Sequence, residues 1–469
     1  MNTIHAVKDE TAFNASIEFF NEAQSIIFNS KISNEEALML QAMKEARGYK
    51  LINKDAKKFQ NFLNAFSSVS KKHLYGGNAN TLEIFDFALT FGLSVSSDSD
   101  QIFKALENGK RRDAYINYMH PLEDEALENI ASQHIKYEVG SEEGLIAMLA
   151  DTLVNSEGKE RYKSFFSELD EGYICGESSV GEEEFDEISE KFINAKTPVL
   201  IVGPDVYNHP RSTNIAKILG MISKYSSFEI FMVGSEINTL GVALICELDE
   251  VAVGESIGYR VNAEHTLSNS SGCDLAIASF EQEEGTITLV DKNVLVLNKT
   301  SIYDGYRLND IANALGLKSE RTSDYTAKLP AVSGYKAVAY DDLDSGYTLE
   351  DRDANNGEDE IEDIDDISEF NGTVVYRCNH PLSLFNPNTS KPESNAGDLV
   401  LLGSKQFATA AKIKTESMVR FEMDGKTYLR KFKVNEDLKG TIAYNSVFDS
   451  TDNYDEYRYK RVKLEEVDG

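Results

Sequence analysis

The feature that most constrains this chain is a change of period along it. Over the first two-thirds, short apolar runs of strand length alternate with segments whose apolar residues recur at helical spacing. Such alternation implies parallel sheets built from βαβ units, because a parallel neighbour is reached only through a crossover long enough to hold a helix. Ser25-Ile26-Ile27-Phe28 reads as the first strand. Ser33 then reads as a helix cap, with Glu36 three positions on completing a capping box. Leu38, Met39, Ala42, Met43 and Ala46 form one apolar face, and Gly48 ends the helix. Further strands are expected at 49–52, 87–91, 114–119, 199–202, 228–233, 274–278 and 293–297, with helices at 101–107, from Ser141 onward and at 215–222. The stripe Phe59, Phe62, Leu63 and Phe66 is read as a core face, not as a cofactor box.

After Tyr340 the texture changes. Residues 341–369 hold fourteen acids against one base, Arg352, and are expected to form a solvated, flexible acidic loop. From Gly372 onward alternation of period two takes over, with short strands expected at 373–376, 399–402, 419–423, 428–434 and 441–444. That is an all-β unit, a sandwich or a barrel. The expected organisation is therefore a first α/β region over 1–156, a second over 157–330, the acidic loop 341–369, and a C-terminal β domain over 370–469. The polar stretch 157–186 is read as the junction between the first two. No repeat of fixed period is present.

The chain has 79 Asp and Glu against 47 Lys and Arg, a net charge of −32. This argues against a nucleic-acid binder, which needs a dense cationic surface. No apolar run approaches the roughly 18 residues that span a bilayer. The first twenty residues lack the order of a secretory signal. The four cysteines, Cys175, Cys246, Cys273 and Cys378, lie far apart in no CxxC pair. Neither a disulfide framework, nor a zinc site, nor a cysteine-ligated iron–sulfur cluster is expected from that spacing, and a reducing cytoplasm fits it.

The usual phosphate cradles and nucleophile motifs are not found in the sequence. Gly76-Gly77 reads as a turn, with close approach to a ligand as the alternative. His120 follows a predicted strand, at the end where parallel sheets often bind ligands. With no partner visible nearby it is read as a hydrogen-bonded structural histidine, as are His134 and His265. Asp351, Asp353, Asn355, Asp359 and Glu362 occupy positions one, three, five, nine and twelve of a calcium-type loop. Asn356 stands where glycine makes the sharp turn, so a solvated acidic loop is the expected reading. The segment from Glu281 to Thr288 either lines a cleft or simply connects to the strand at 293–297. No catalytic, cofactor-binding or metal-binding residue is assigned.

Several segments, in this order, are similar to the large peripheral-arm subunit of the proton-pumping NADH:quinone oxidoreductase, respiratory complex I. They are FQNFLNAFSSVS at 59–70 followed by HLYGG, YMHPLEDEALENI at 118–130, and IKYEVGSEEGLIAMLA at 135–150. Then come SFEQEEGTITLVDKNVLVLN at 279–298, RCNHPL at 377–382 and LKGTIAYNSVFD at 438–449. The resemblance is to bacterial forms that carry an extra β domain. It implies a molybdopterin-oxidoreductase-like fold, with the EGT-containing loop near a pterin site that this subunit is generally held to have lost. Members usually begin with a ferredoxin-like, cluster-bearing region. This chain starts at the molybdopterin-like part, so no cluster ligand is carried over, and iron–sulfur clusters are expected on partner subunits. The implied function is a mainly structural subunit of the cytoplasmic arm, held peripherally at the inner membrane by its partners. The alternatives are a molybdopterin-dependent oxidoreductase related to formate dehydrogenase, and a free-standing acidic binding module. A basic face between Lys405 and Lys433, with eight bases and three acids, is expected to meet either a partner or the chain's own acidic loop.

Overall fold

The computed structural model describes residues 8–270, 272–354, 357–367, 372–379, 400–436, 438, 440–447 and 456–467. Two five-stranded, wholly parallel sheets form its α/β body. The first contains β1 (Ser25–Phe28), β2 (Lys50–Ile52), β8 (Ser256–Tyr259), β9 (His265–Ser268) and β10 (Leu275–Ala276) in the order β10-β9-β8-β1-β2. The second contains β3 (Phe87–Phe91), β4 (Tyr115–Met119), β5 (Gln133–Ile135), β6 (Pro198–Val202) and β7 (Glu229–Met232) in the order β5-β4-β3-β6-β7. Every residue of β3 and β6 is buried, as strands covered by helices on both faces require.

The division expected at 156/157 does not separate these sheets. The second sheet lies wholly within residues 87–232, between β2 and β8 of the first. The chain thus leaves one sheet, builds the other, and returns. The apolar alternation has the same character in both, so it does not mark the crossing. Residues 157–186 are not a junction but a run of short helices, Ser156–Arg161, Lys163–Ser167, Glu171–Ser178 and the start of Glu182–Asn194, inserted between β5 and β6.

Local signals explain the helix ends. Ser33 accepts from Glu36 N, and the Glu36 side chain caps Ser33 N, so helix Asn34–Arg47 has its capping box. Gly48 closes it at φ +79°, a left-handed turn that suits glycine. Ser141 does not cap helix Glu142–Leu153; its hydroxyl donates to Glu138 O at 2.6 Å instead. Helix Lys54–Ser70 crosses helix Ser212–Tyr225 at Gly220, where a Cβ would stand 2.6 Å from Phe66 O. Phe59, Phe62 and Phe66 are buried there, each contributing on the order of 2–3 kcal/mol.

A three-stranded antiparallel sheet follows, made of β11 (Gly285–Thr288), β12 (Asn293–Leu297) and β13 (Tyr347–Thr348). The segment from Glu281 to Thr288 is therefore the end of a short 3-10 helix, Phe280–Gln282, followed by β11, which turns back into β12. The C-terminal unit is a curled, mostly-β sheet of seven strands. Its strands are β14 (Val374–Asn379), β15 (Val400–Gly403), β16 (Met418–Met423), β17 (Lys426–Val434), β18 (Ile442–Val447), β19 (Tyr459–Arg461) and β20 (Glu465–Val467). Period two decides its packing. Val374, Tyr376 and Cys378 of β14 face the α/β body with Leu122 and Val139, whereas Val375 faces Leu401, Phe421 and Phe432 in the sheet's own core. Among the described residues no helix is long and apolar enough to cross a membrane.

The described parts of the acidic stretch are not a loop standing off in solvent. They form a strap laid across the α/β body. Asp353 pairs with Lys72 at 2.7 Å, Asp359 with Arg161 at 3.0 Å and Glu362 with Arg211 at 2.8 Å. Leu349 and Ile361 enter the main core. The expectation of a purely solvated loop missed these two apolar anchors and the bases waiting on the body.

Candidate functional site

In an open parallel sheet, ligands bind outside the carboxyl ends of the strands where the connections turn to opposite sides. The first sheet has this switch point between β1 and β8, the second between β3 and β6. In both, a buried arginine and several carboxylates fill the place.

At the first switch point, Arg260 follows β8 with φ +59°. Its guanidinium pairs with Glu36 Oε1 at 2.8 Å, donates to Lys31 O at 3.0 Å and to Ala278 O at 3.1 Å, and reaches Glu283 at 4.0 Å. Arg307 holds the other side of Glu283 at 2.6 Å. Tyr259 donates its hydroxyl to Glu36. Burial pushes the Glu283 carboxyl up, and the neighbouring Glu36 charge adds to this. One residue from Glu36, Glu35 accepts from Thr286 N at 2.6 Å, Thr286 Oγ1 at 2.8 Å and Thr326 Oγ1 at 2.9 Å. Burial raises Glu35 to about 7 against these hydrogen bonds. Gly285 is needed here, because a Cβ would lie 2.3 Å from Glu35 Oε2.

At the second switch point, Asp205 follows the Gly203-Pro204 turn after β6, and Asp98 ends the short helix Val95–Asp98 beyond β3. Gly203 packs backbone on backbone, with a notional Cβ 2.3 Å from Gly92 O. The guanidinium comes from Arg458, just ahead of β19. It donates to both Asp98 oxygens at 2.9 and 3.0 Å and lies 3.6 Å from Asp205. All three side chains have 0% exposure. Burial works against the charge of Arg458, and Asp98, Tyr376 and Asp205 outweigh it, so its pKa rises. Burial raises Asp98 in turn, against the attraction of Arg458. His120 Nε2 lies 3.2 Å from Asp205 Oδ2 and 3.3 Å from Tyr459 Oη. His120 Nδ1 lies 3.1 Å from both Leu122 N and Leu122 O, so the backbone there fixes the ring with Nε2 toward Asp205.

Asp55 stands beside this second group. Tyr207 and Ser235 hydroxyls donate to its Oδ1 at 2.9 and 2.8 Å, and burial together with the Glu236 charge raises it to about 7.

His120 thus has the acid partner that local sequence did not reveal, 85 residues away. His134 and His265 do not join it: His134 Nε2 meets His120 O at 3.1 Å, and His265 Nε2 meets Ser16 Oγ at 2.8 Å. Gly76 and Gly77 pack on edge strand β7, where Cβ atoms would stand 2.1 Å from Glu229 and 2.5 Å from Phe231. The calcium-type spacing does not converge. Asp353, Asp359 and Glu362 go to Lys72, Arg161 and Arg211, Asp351 caps Leu74 N at 3.2 Å, and Asn355 lies outside the described residues. Among the described residues no group of three or more His, Cys, Asp and Glu is placed to hold a metal ion. A shallow open depression lined by Asn313, Lys318, Ser319, Glu320, Asp324 and Lys328 lies on the surface.

The residues that sequence reasoning missed are Arg260, Arg458, Asp98, Asp205 and Glu283, and the sequence marks Glu36 only as a cap. Asp205, one residue beyond a strand-ending Gly-Pro, carried a usable local signal. Arg458 carried none, since it lies in a polar stretch far along the chain.

The resemblance read from the sequence implies a pterin site, and the switch-point residues do not fit such a group. A phosphate-bearing group needs free N–H donors, cations and glycines open to close approach. Here the two guanidiniums are committed to carboxylates, further buried carboxylates surround them, and Gly203 and Gly285 face protein atoms.

No family model matches this chain, and no curated protein matches it. Among solved structures, acetylene hydratase from Pelobacter acetylenicus aligns with a TM-score of 0.63 at 8% identity, covering 94% of this chain and 81% of that one. The formyltransferase/hydrolase complex from Methylorubrum extorquens, in complex with methylofuran, aligns at TM-score 0.45 and 10% identity over 66% of this chain and 96% of that one, a likeness too slight to carry an argument. The first likeness shows the fold alone, a molybdopterin-oxidoreductase-like α/β body with a C-terminal curled sheet.

Proposed function

We propose that this chain is a non-catalytic, structural subunit of the cytoplasmic arm of a complex I-type NADH:quinone oxidoreductase, built on the molybdopterin-oxidoreductase fold without its pterin. The observation that carries this reading is the filling of both switch points by the chain's own ion groups, Arg260 with Glu36 and Glu283, and Arg458 with Asp98 and Asp205. A fold whose binding crevices are closed by salt bridges is suited to packing against neighbours. The segments similar to the large peripheral-arm subunit, in their shared order, point to which neighbours. On this reading, iron–sulfur clusters belong to partner subunits, and the chain reaches the membrane only through them.

The test is purification from native membranes under mild detergent, followed by mass spectrometry and assays for molybdenum, tungsten and released pterin. Stoichiometric recovery with the NADH-oxidising and cluster-bearing subunits, and no pterin, is the expected result. The fold likeness favours one second reading, a pterin-dependent oxidoreductase. One pterin per chain would establish it and overturn the structural role.

A further inference from the structure

We propose that Glu142, His209 and Tyr457 make the junction between the α/β body and the C-terminal sheet a proton-sensitive joint, which loosens as pH rises from neutral to mildly alkaline. The junction is polar where it is most buried. Three consecutive residues ahead of and opening β19, Tyr457, Arg458 and Tyr459, all point into the body, onto Glu142, Asp98 and His120 respectively. Of these contacts the first lacks a counter-charge. Glu142 is fully buried; Tyr457 Oη donates to its Oε1 at 2.6 Å and accepts from Gly140 N at 3.0 Å. Its Oε2 accepts no hydrogen bond, and His209 Nε2 stands 3.6 Å away.

The other groups around Glu142 do not supply a cation. Asp205, from the turn after β6, and Tyr137, after β5, are themselves acids. Glu143, on the same helix, is turned onto Arg211 at 3.1 Å and Asn214 at 2.8 Å. An ionised Glu142 would therefore sit buried among acids with one distant imidazole, an arrangement that costs several kcal/mol unless the joint opens.

The sign follows from linkage. Burial raises Glu142 from 4.5 to about 8, and burial lowers His209 from 6.5 to about 4. Opening therefore releases a proton from Glu142 at any pH between roughly 4.5 and 8, and takes one up on His209 between roughly 4 and 6.5. The two effects oppose each other below pH 6.5. From about 6.5 to 8 only Glu142 contributes, and opening is favoured about tenfold per pH unit, roughly thirtyfold in all.

Hydrogen exchange on the full chain, corrected for intrinsic rates, tests this. The reporters are the amides of Gly140, bonded to Tyr457, and Arg377, bonded to Arg458 O at 2.9 Å. Their protection is expected to fall about thirtyfold from pH 6.5 to 8. Glu142→Gln is expected to abolish that fall. His209→Gln is expected to extend it down to pH 5, for a total near a thousandfold. Should Glu142→Gln lose its near-ultraviolet dichroism, the parent and His209→Gln profiles decide the matter. Flat parent protection from pH 6.5 to 8, an unchanged fall in folded Glu142→Gln, or a His209→Gln profile identical to the parent's would overturn the proposal.

Discussion

The two switch points solve one problem by different routes. Both bury an arginine among carboxylates at the carboxyl end of a parallel sheet. At the first, Arg260 belongs to the sheet it closes, and Arg307 shares the load on Glu283 at 2.6 Å. At the second, the arginine arrives from the C-terminal unit, and Arg458 alone supplies the guanidinium to Asp98 and Asp205. The first closure is thus a property of the body alone. The second exists only when that sheet is docked. A buried pair contributes little net stability, but removing one partner leaves an uncompensated charge, so the second closure makes the two units depend on each other.

The largest effect should come from Arg458→Ala. It leaves Asp98 and Asp205 buried without their guanidinium, and a loss of about 3–5 kcal/mol is expected. Urea unfolding should become biphasic, with the C-terminal sheet released first. A single transition at the parent midpoint would show that the sheet docks by apolar contact alone. Arg260→Met should cost less, about 2–3 kcal/mol, since Arg307 still holds Glu283. It should lower one cooperative transition without splitting it; a split would mean that the first closure also joins separable units.

The pH dependence of global stability sharpens the comparison from the first side. Glu35 is raised from 4.5 to about 7, so the native state keeps a proton that the unfolded chain has lost. Its stabilisation is fully present below about pH 4.5, falls as pH rises, and has gone by about pH 7, a change on the order of 3 kcal/mol. Glu35→Gln should flatten the fall between pH 5 and 7 in thermal melts, and a parallel curve would remove Glu35 from the account. Arg211→Ala should have a smaller effect, about 1 kcal/mol, by removing the guanidinium that holds Glu362 and Asp365 of the strap beside Glu143 of the body. Limited proteolysis should then cut within residues 357–367 more readily than in the parent. The smallest effect concerns the basic face. Lys431 pairs with Glu416 at 2.7 Å with both side chains partly exposed, so Lys431→Glu with Lys433→Glu should change stability by no more than about 0.5 kcal/mol. Weakened incorporation of that double variant into the complex proposed above, on native gels, would assign the face to a partner.

The strap shows why composition misleads. Fourteen acids in residues 341–369 argue for a solvated loop, yet Leu349 and Ile361 are buried and Asp341, Asp353, Asp359, Glu362 and Asp365 find bases on the body. Charge density reads as exposure only when no complementary surface waits, and that surface is assembled from residues distant in the chain. Asp353, Asp359 and Glu362 pair with Lys72, Arg161 and Arg211, bases of the body and not of the basic face on the C-terminal sheet.

Local order was legible because its causes are local. The strand Phe87–Phe91, the capping box of Ser33 and Glu36, and the stop at Gly48 follow from neighbours within a few residues. So did the fold class, since strands alternating with helices leave few architectures open. Strands β8 and β9, SIGY and HTLS, were not legible: each is only four residues long and lacks a continuous apolar run. They are strands because β1 offers an edge on which β8 pairs, and β8 in turn offers one to β9. The same holds for the site. His120 meets Asp205 across 85 residues, and Arg458 meets Asp98 across 360. Apolar burial fixes local elements through periodicity, whereas the pairing of buried charges depends on distance in space, which only the assembled sheets decide.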